Sequence, residues 1–177
     1  MKKFLIGICM YIFFIFLYFL QSDFFSWFTI AGVSPNIFII FILFLGLFTD
    51  NKFSVIIAIL SGVTLDLALG RVLGITGLLF GLIAIIAGYF DKNFSKENKF
   101  TLVIMVVVMT IATEVVNYFL NVLIQEIPAE IGAFVKILAI ETLYNVMLTI
   151  ILYKLMLKLG MLLERQFRQK NILTRYF

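Results

Sequence analysis

Two groups of polar side chains interrupt long apolar stretches of this sequence, and each group is spaced to share one helical face. Positions i, i+3 and i+7 hold Glu114, Asn117 and Asn121, and positions i and i+4 hold Glu141 and Asn145. An ionisable side chain is costly inside hydrocarbon and is retained where it faces a partner or a cavity. The two groups predict either a shared polar pocket or hydrogen bonds between helices, and we prefer the hydrogen bonds.

A third acid, Asp66, lies near the end of another apolar stretch, just before Gly70 and Arg71. We expect this carboxylate to stay ionised, with Arg71 or a cation of a partner protein as its counter-charge. Arg71 and Lys136 are also the candidate counter-charges for a pocket formed by the other acids.

The residue types that most enzymes and metal sites need are scarce in this chain. Histidine is absent, and the one cysteine, Cys9, lies in the first apolar stretch. The usual His or Cys metal sites and an intrachain disulfide are therefore excluded. The buried acids are not part of a Ser, His or paired-acid motif of the kind an intramembrane protease or acyl transferase requires. We expect no enzymatic activity, no catalytic residue, no metal and no cofactor.

The composition is that of an all-α integral membrane protein. Hydrophobic residues make up 63% of the 177 positions and charged residues 14%, with a mean hydropathy of +1.14. Soluble domains average about 45–50% apolar and about 25% charged residues. At roughly 20 residues per span, this length accommodates a single domain of about six transmembrane helices.

Turn residues between the apolar stretches predict where these helices begin and end. Ser34 and Pro35 suit the start of the second helix. The first stretch lacks a small-x-small cleavage pattern, so we expect an uncleaved helix. The segment 24–30, with Trp27, suits a membrane interface. The predicted helices cover residues 4–20, 35–48, 53–69, 73–90, 100–124 and 133–159, followed by a basic tail over 160–177.

The basic residues predict the orientation, because cytoplasmic loops carry an excess of Lys and Arg. With six spans, only Arg71 and Lys136 fall on the side opposite the N-terminus. We therefore expect both termini in the cytoplasm, and we read the net charge of +4 as a topology signal, with lipid and no nucleic acid as the partner of the tail. The other 12 of the 14 basic residues are Lys2, Lys3, Lys52, Lys92, Lys96, Lys99, Lys154, Lys158, Arg165, Arg168, Lys170 and Arg175.

Small residues on the predicted fourth helix indicate close helix packing. Gly77, Gly81, Ala84 and Gly88 share one face, and the pairs Gly70/Gly74 and Gly77/Gly81 match G-x-x-x-G spacing. Without side chains, helix backbones approach each other closely in lipid. We expect this face to pack within the bundle.

Several short motifs between residues 34 and 89 resemble the family of rod shape-determining protein MreD. In that family a Pro-Asn or Pro-Asp opens the second helix, a Gly-Leu-Leu-x-Asp run ends the third, and a Leu-Gly follows. Here Val63-Thr64 replaces the usual leucine pair. The matching segments are 34–38, 45–47, 62–70, 73–74 and 88–89, and they include Pro35, Asn36, Gly62, Asp66, Gly70 and Gly74.

The resemblance implies a non-enzymatic scaffold of the bacterial cell-elongation complex in the cytoplasmic membrane. Its implied direct partner is MreC. The same complex would contain MreB, RodA and a class B penicillin-binding protein, and the scaffold would help couple MreB to lateral peptidoglycan synthesis and rod shape.

The family also resembles the S components of energy-coupling factor transporters in fold, which gives an alternative function: a subunit that binds a vitamin in an outward pocket. S components typically present an Ala-x-x-x-Ala pattern on the first helix to dock their transport partner. The first helix of this chain, over residues 4–20, contains no alanine.

The predicted orientation is tested by labelling single cysteines in intact cells after Cys9 is replaced. We expect a membrane-impermeant thiol reagent to label Glu130→Cys and to spare Ser95→Cys, because only the first would face outward. The reverse labelling pattern would contradict the six-span topology with cytoplasmic termini.

Overall fold

The computed structural model of the chain describes residues 2–93, 98–125 and 130–168, and over these ranges the fold is all-α. This confirms the all-α part of the predicted fold class. The loop residues 94–97 and 126–129 and the last nine residues of the predicted tail, 169–177, lie outside the described residues. The helices within the described ranges are α1 (Lys2–Phe19), α2 (Ile37–Phe48), α3 (Asn51–Leu69), α4 (Ile75–Asn93), α5 (Lys99–Gln125) and α6 (Ile131–Arg168).

The bounds of α1 to α5 differ from the predicted ones by at most three residues, but α6 does not end where the sequence predicts. It continues past residue 159 to Arg168, so the first half of the predicted tail is helical. Gly160 lies so close to α2 that a Cβ atom there would come within 2.6 Å of the Phe48 ring. The ring of Phe167, 7% exposed, packs against that of Phe53, with centroids 4.7 Å apart and planes tilted by 50°. These contacts stabilise the last turns of α6.

The same end of the bundle also holds the start of α1. Lys3 pairs with Asp50 in the turn between α2 and α3. Its ammonium group lies 5.1 Å from the centroid of the Phe167 ring, within the range of a cation–π interaction. The first turn of α1, the turn between α2 and α3 and the end of α6 thereby contact one another.

Among the described residues, four helical segments are long and apolar enough to cross a membrane: Lys3–Phe28, Asn51–Leu69, Lys99–Ile124 and Ile131–Phe167. The segments Ile37–Phe48 and Ile75–Asp91, in α2 and α4, are apolar but shorter. With 12 residues, α2 is about 18 Å long, well below the roughly 30 Å of a bilayer core.

The short helix α2 forms the centre of the molecule. All of its residues are buried, and Ile39, Ile42, Leu43 and Leu45 have no exposed surface. Helices α1, α3, α4, α5 and α6 all contact it. A helix that is apolar on every side needs this environment, and the surrounding helices supply it.

Glycines bring α3 and α4 into backbone contact. A Cβ atom at Gly62 of α3 would lie 2.5 Å from the Cα atom of Gly77 in α4. On the same face of α4, Gly81 lies against Ile59 and Gly88 against Asn51. On the α2 side, a Cβ at Gly46 would come within 2.9 Å of the Ala84 carbonyl. The face over residues 77–88 therefore lies against other helices of the bundle.

Gly70 and Gly74 have a different role from the one that their spacing suggests. Both precede α4, with φ angles of +63° and +91°, and no atom lies within 4 Å of a Cβ built on either. Gly70 is the left-handed residue that ends α3. The G-x-x-x-G spacing of this pair marks a turn, whereas Gly62 and Gly77 make the close contact.

We predict that Gly62→Ala destabilises the bundle more than Gly81→Ala does. The new methyl group at Gly62 meets backbone, which cannot move aside, whereas at Gly81 it meets the flexible Ile59 side chain, 3.0 Å away. Overpacking of this kind typically costs about 1–3 kcal/mol. Thermal unfolding in detergent measures the difference.

Gly132→Ala is the matched control, because nothing lies within 4 Å of its added Cβ. Equal melting temperatures for Gly62→Ala and Gly132→Ala would contradict close contact between α3 and α4.

Candidate functional site

The linker between α1 and α2 folds over the start of α2. It consists of a π-helical turn at Leu20–Phe24, a 3₁₀ turn at Phe25–Phe28 and a tight turn in which Ala31 and Gly32 have positive φ angles. The Tyr144 hydroxyl of α6 donates a hydrogen bond to the Phe28 carbonyl. Trp27 is 86% exposed at the tip of this linker, where the sequence predicts an interfacial segment.

The start of α2 lies inside the bundle, so its backbone N–H groups need partners there. The Asn145 side-chain oxygen accepts a hydrogen bond from the Asn36 N–H at 2.7 Å. The Gln21 oxygen accepts one from the Ile37 N–H at 3.3 Å, and the Gln21 amide donates to the Pro35 carbonyl at 2.6 Å. Pro35 has no N–H of its own to satisfy. Two side chains, Asn145 of α6 and Gln21 of the linker, therefore hold the start of α2.

Asn145 joins three helices. Its side-chain NH₂ group donates to the Thr110 hydroxyl of α5 at 3.0 Å, in addition to the bond that its oxygen accepts from α2. The side chain has no exposed surface. For this residue, the structure has the interhelical hydrogen bonding that we preferred from the sequence.

The remaining polar residues of the two groups line one cavity between α5 and α6. Its volume is about 190 Å³. The rings of Tyr118 and Phe134 stack at its wall, with centroids 4.2 Å apart and planes at 20°. The fold therefore brings together four of the five residues that the sequence singled out, and Asn145 lies outside the lining. The cavity is lined by Glu114, Asn117, Tyr118, Asn121, Phe134, Ile137, Leu138 and Glu141.

The two carboxyl groups of the cavity interact with each other and with the Asn36 side chain. Of the two candidate counter-charges, Arg71 and Lys136, Arg71 is close enough for its positive charge to act on Glu114. Glu141 is 7% exposed, and its Oε1 atom has no hydrogen-bond partner among the described residues. The cavity thus contains a buried acceptor that the described part of the protein leaves unpaired.

Asp66 makes different contacts from those that we expected. Its Oδ2 atom accepts hydrogen bonds from the backbone N–H groups of Gly74, at 2.9 Å, and Thr76, at 3.2 Å. Its backbone carbonyl accepts one from the Arg71 N–H at 2.9 Å. The left-handed turn at Gly70 folds the chain back, so that α4 begins beside the carboxyl group. Asp66 therefore caps α4, as an acidic group at a helix N-terminus does favourably, and its side chain bonds to backbone in place of the expected Arg71 cation.

Sequence reasoning missed three contributors to this region. Gln21 accepts a hydrogen bond from the start of α2, and Thr110 accepts one from Asn145. Tyr118 lines the cavity. The sequence does contain one indication of the role of Gln21. It is a polar residue that ends an apolar run, and an unusually short apolar helix follows it. Asn36 was recognised as part of a helix-start motif but not as a neighbour of both acids.

Comparison with known proteins agrees with the resemblance seen in the motifs. The family model of rod shape-determining protein MreD matches residues 1–162. No curated protein and no solved structure matches the chain. The family match includes all described helices except the end of α6. The four long apolar segments fit a protein that crosses the membrane several times. The chain therefore belongs to the MreD family of rod shape-determining proteins, which are proteins of the bacterial inner membrane.

Proposed function

We propose that this protein is a non-enzymatic membrane scaffold of the rod complex. It binds MreC directly and helps couple MreB to lateral peptidoglycan synthesis by RodA and a class B penicillin-binding protein. The observation that carries the proposal is the family match over residues 1–162, because the family is one of shape-determining proteins.

The distribution of buried surface supports a scaffold. The core around α2 is closed. In contrast, only 17% of the most apolar stretch of Lys3–Phe28, which contains α1, is buried, and only 11% of the corresponding stretch of α6. Both helices therefore offer long apolar faces to lipid or to the membrane helices of partners. In hydrocarbon, such faces associate through close packing and interhelical hydrogen bonds.

The proposed orientation divides the molecule by function. With both termini in the cytoplasm, the end that joins Lys3, Asp50 and Phe167 faces inward, together with the extension of α6. The linker over residues 20–36 and the cavity then lie toward the outer side. The inner end is accessible to the cytoskeleton, and the outer end to the enzymes that build the wall.

The alternative, a vitamin-binding S component, has less support. The first helix lacks alanine, so the docking pattern of S components is missing. The cavity of about 190 Å³ is also smaller than the roughly 300–1,000 Å³ of typical small-molecule sites.

Purification of the tagged chain together with untagged MreC from the same bacterium tests the proposal. We expect MreC to co-elute from solubilised membranes, and depletion of the chain to convert rods into spheres. Gly62→Leu, which forces α3 and α4 apart, should lose MreC, whereas Gly132→Leu should retain it at the same expression level, because only the first substitution meets backbone.

Recovery of transporter subunits in place of MreC, with cell shape unaffected by depletion, would contradict the scaffold and favour the S component.

A further inference from the structure

The cavity between α5 and α6 has chemical features that a scaffold does not require. The Oε1 atom of Glu141 is an acceptor without a partner among the described residues, and the residue is more than nine-tenths buried. The Asn36 Oδ1 atom, on the side chain that interacts with both acids, is a second buried acceptor atom without a partner among the described residues. An unpaired buried polar group is destabilising, so a ligand that donates hydrogen bonds would be stabilised here.

The charges around the cavity favour a cation. Glu114 and Glu141 contribute two acids, and Arg71 is the cation whose positive charge acts on Glu114. One positive charge therefore offsets at most one carboxylate. A second carboxylate in an apolar surrounding calls for one more cation.

The walls and the size of the cavity favour an organic cation over a bare metal ion. The stacked rings of Tyr118 and Phe134 offer aromatic surface, which attracts cations. Ile137 and Leu138 add apolar surface. A single water needs only about 10–15 Å³, so a volume of about 190 Å³ admits a molecule of several non-hydrogen atoms.

We propose that this cavity binds a primary ammonium group carried on a short carbon chain. The ammonium N–H groups donate hydrogen bonds to the carboxyl oxygens of Glu141 and Glu114, and the carbon chain lies against Phe134 and Leu138. Two sources share this chemistry: a free alkylamine, and the ethanolamine headgroup of a phospholipid. The site is separate from the apolar faces of α1 and α6 that we assign to partners.

Thermal unfolding of the full chain, in nanodiscs of phosphatidylglycerol only, tests the site with n-propylammonium chloride as the probe. We expect a saturable rise in the melting temperature of roughly 2–4 °C. Tetramethylammonium chloride, which has the same charge but no N–H donor, and sodium chloride, both at equal ionic strength, should produce no saturable rise.

Glu141→Gln keeps the shape of the side chain and removes its charge, so it should abolish the response to propylammonium. Glu130→Gln, at an exposed acid just before α6, is the matched control and should retain the response. Phe134→Leu, which keeps both acids and removes the aromatic stack, serves as a second variant and should weaken the response even if Glu141→Gln does not fold.

Adding phosphatidylethanolamine to the nanodiscs distinguishes the two sources. If the headgroup is the ligand, this lipid alone raises the melting temperature and propylammonium adds nothing further; if free amines are the ligand, the response to propylammonium is unchanged. An equal rise with tetramethylammonium or sodium, or a full response in folded Glu141→Gln or Phe134→Leu, would overturn the proposal.

Discussion

The structure depends on one constraint, which is that helices α2 and α4 begin at half-buried or buried residues. A helix start leaves backbone N–H groups without intrahelical partners, and hydrocarbon offers no water to bond them. Both of the apolar helices that are shorter than a span, α2 and α4, meet this constraint with side chains from elsewhere in the chain. Asn145 and Gln21 bond the start of α2, and Asp66 bonds the start of α4. Each of these bonds also fixes how neighbouring helices pack.

The cavity follows from the same constraint. Helix α2 is only 12 residues long, so it begins part of the way along α5 and α6. Asn36, just before its first residue, therefore lies next to Glu114 and Glu141. A longer α2 would fill this space with apolar side chains. The partial positive charge of a helix N-terminus is favourable beside acidic groups. The acids, the helix start and the space between α5 and α6 therefore form one unit.

The sequence predicts the parts of this arrangement that depend on local chemistry. Apolar runs with residues such as Pro35 and Gly70 at their ends locate α1 to α5 within three residues. The spacing of Glu114, Asn117 and Asn121 predicts one shared helical face, and all three residues line the cavity. Residues 160–168 read as a basic tail, because Phe48 and Phe53, which hold them in α6, are more than 100 positions earlier in the sequence. For Asp66, the nearby charge of Arg71 is evident from the sequence and suggests an ion pair. The backbone N–H groups of Gly74 and Thr76, which bond to its carboxylate, come close only after the turn has folded.

Hydrogen–deuterium exchange at the start of α2 tests this constraint most directly. In the wild-type protein in detergent, the amides of Asn36 and Ile37 should exchange slowly, although they precede the first intrahelical bonds, because Asn145 and Gln21 accept their hydrogen bonds. Asn145→Leu should speed exchange at Asn36 by roughly 10-fold, the factor that corresponds to about 1.4 kcal/mol. Met147→Leu, at an exposed position on the same helix, should leave the rate unchanged. Fast exchange at Asn36 in the wild-type protein, or the same slow rate in Asn145→Leu, would contradict the claim that side chains from α6 and the linker hold the start of α2 inside the bundle.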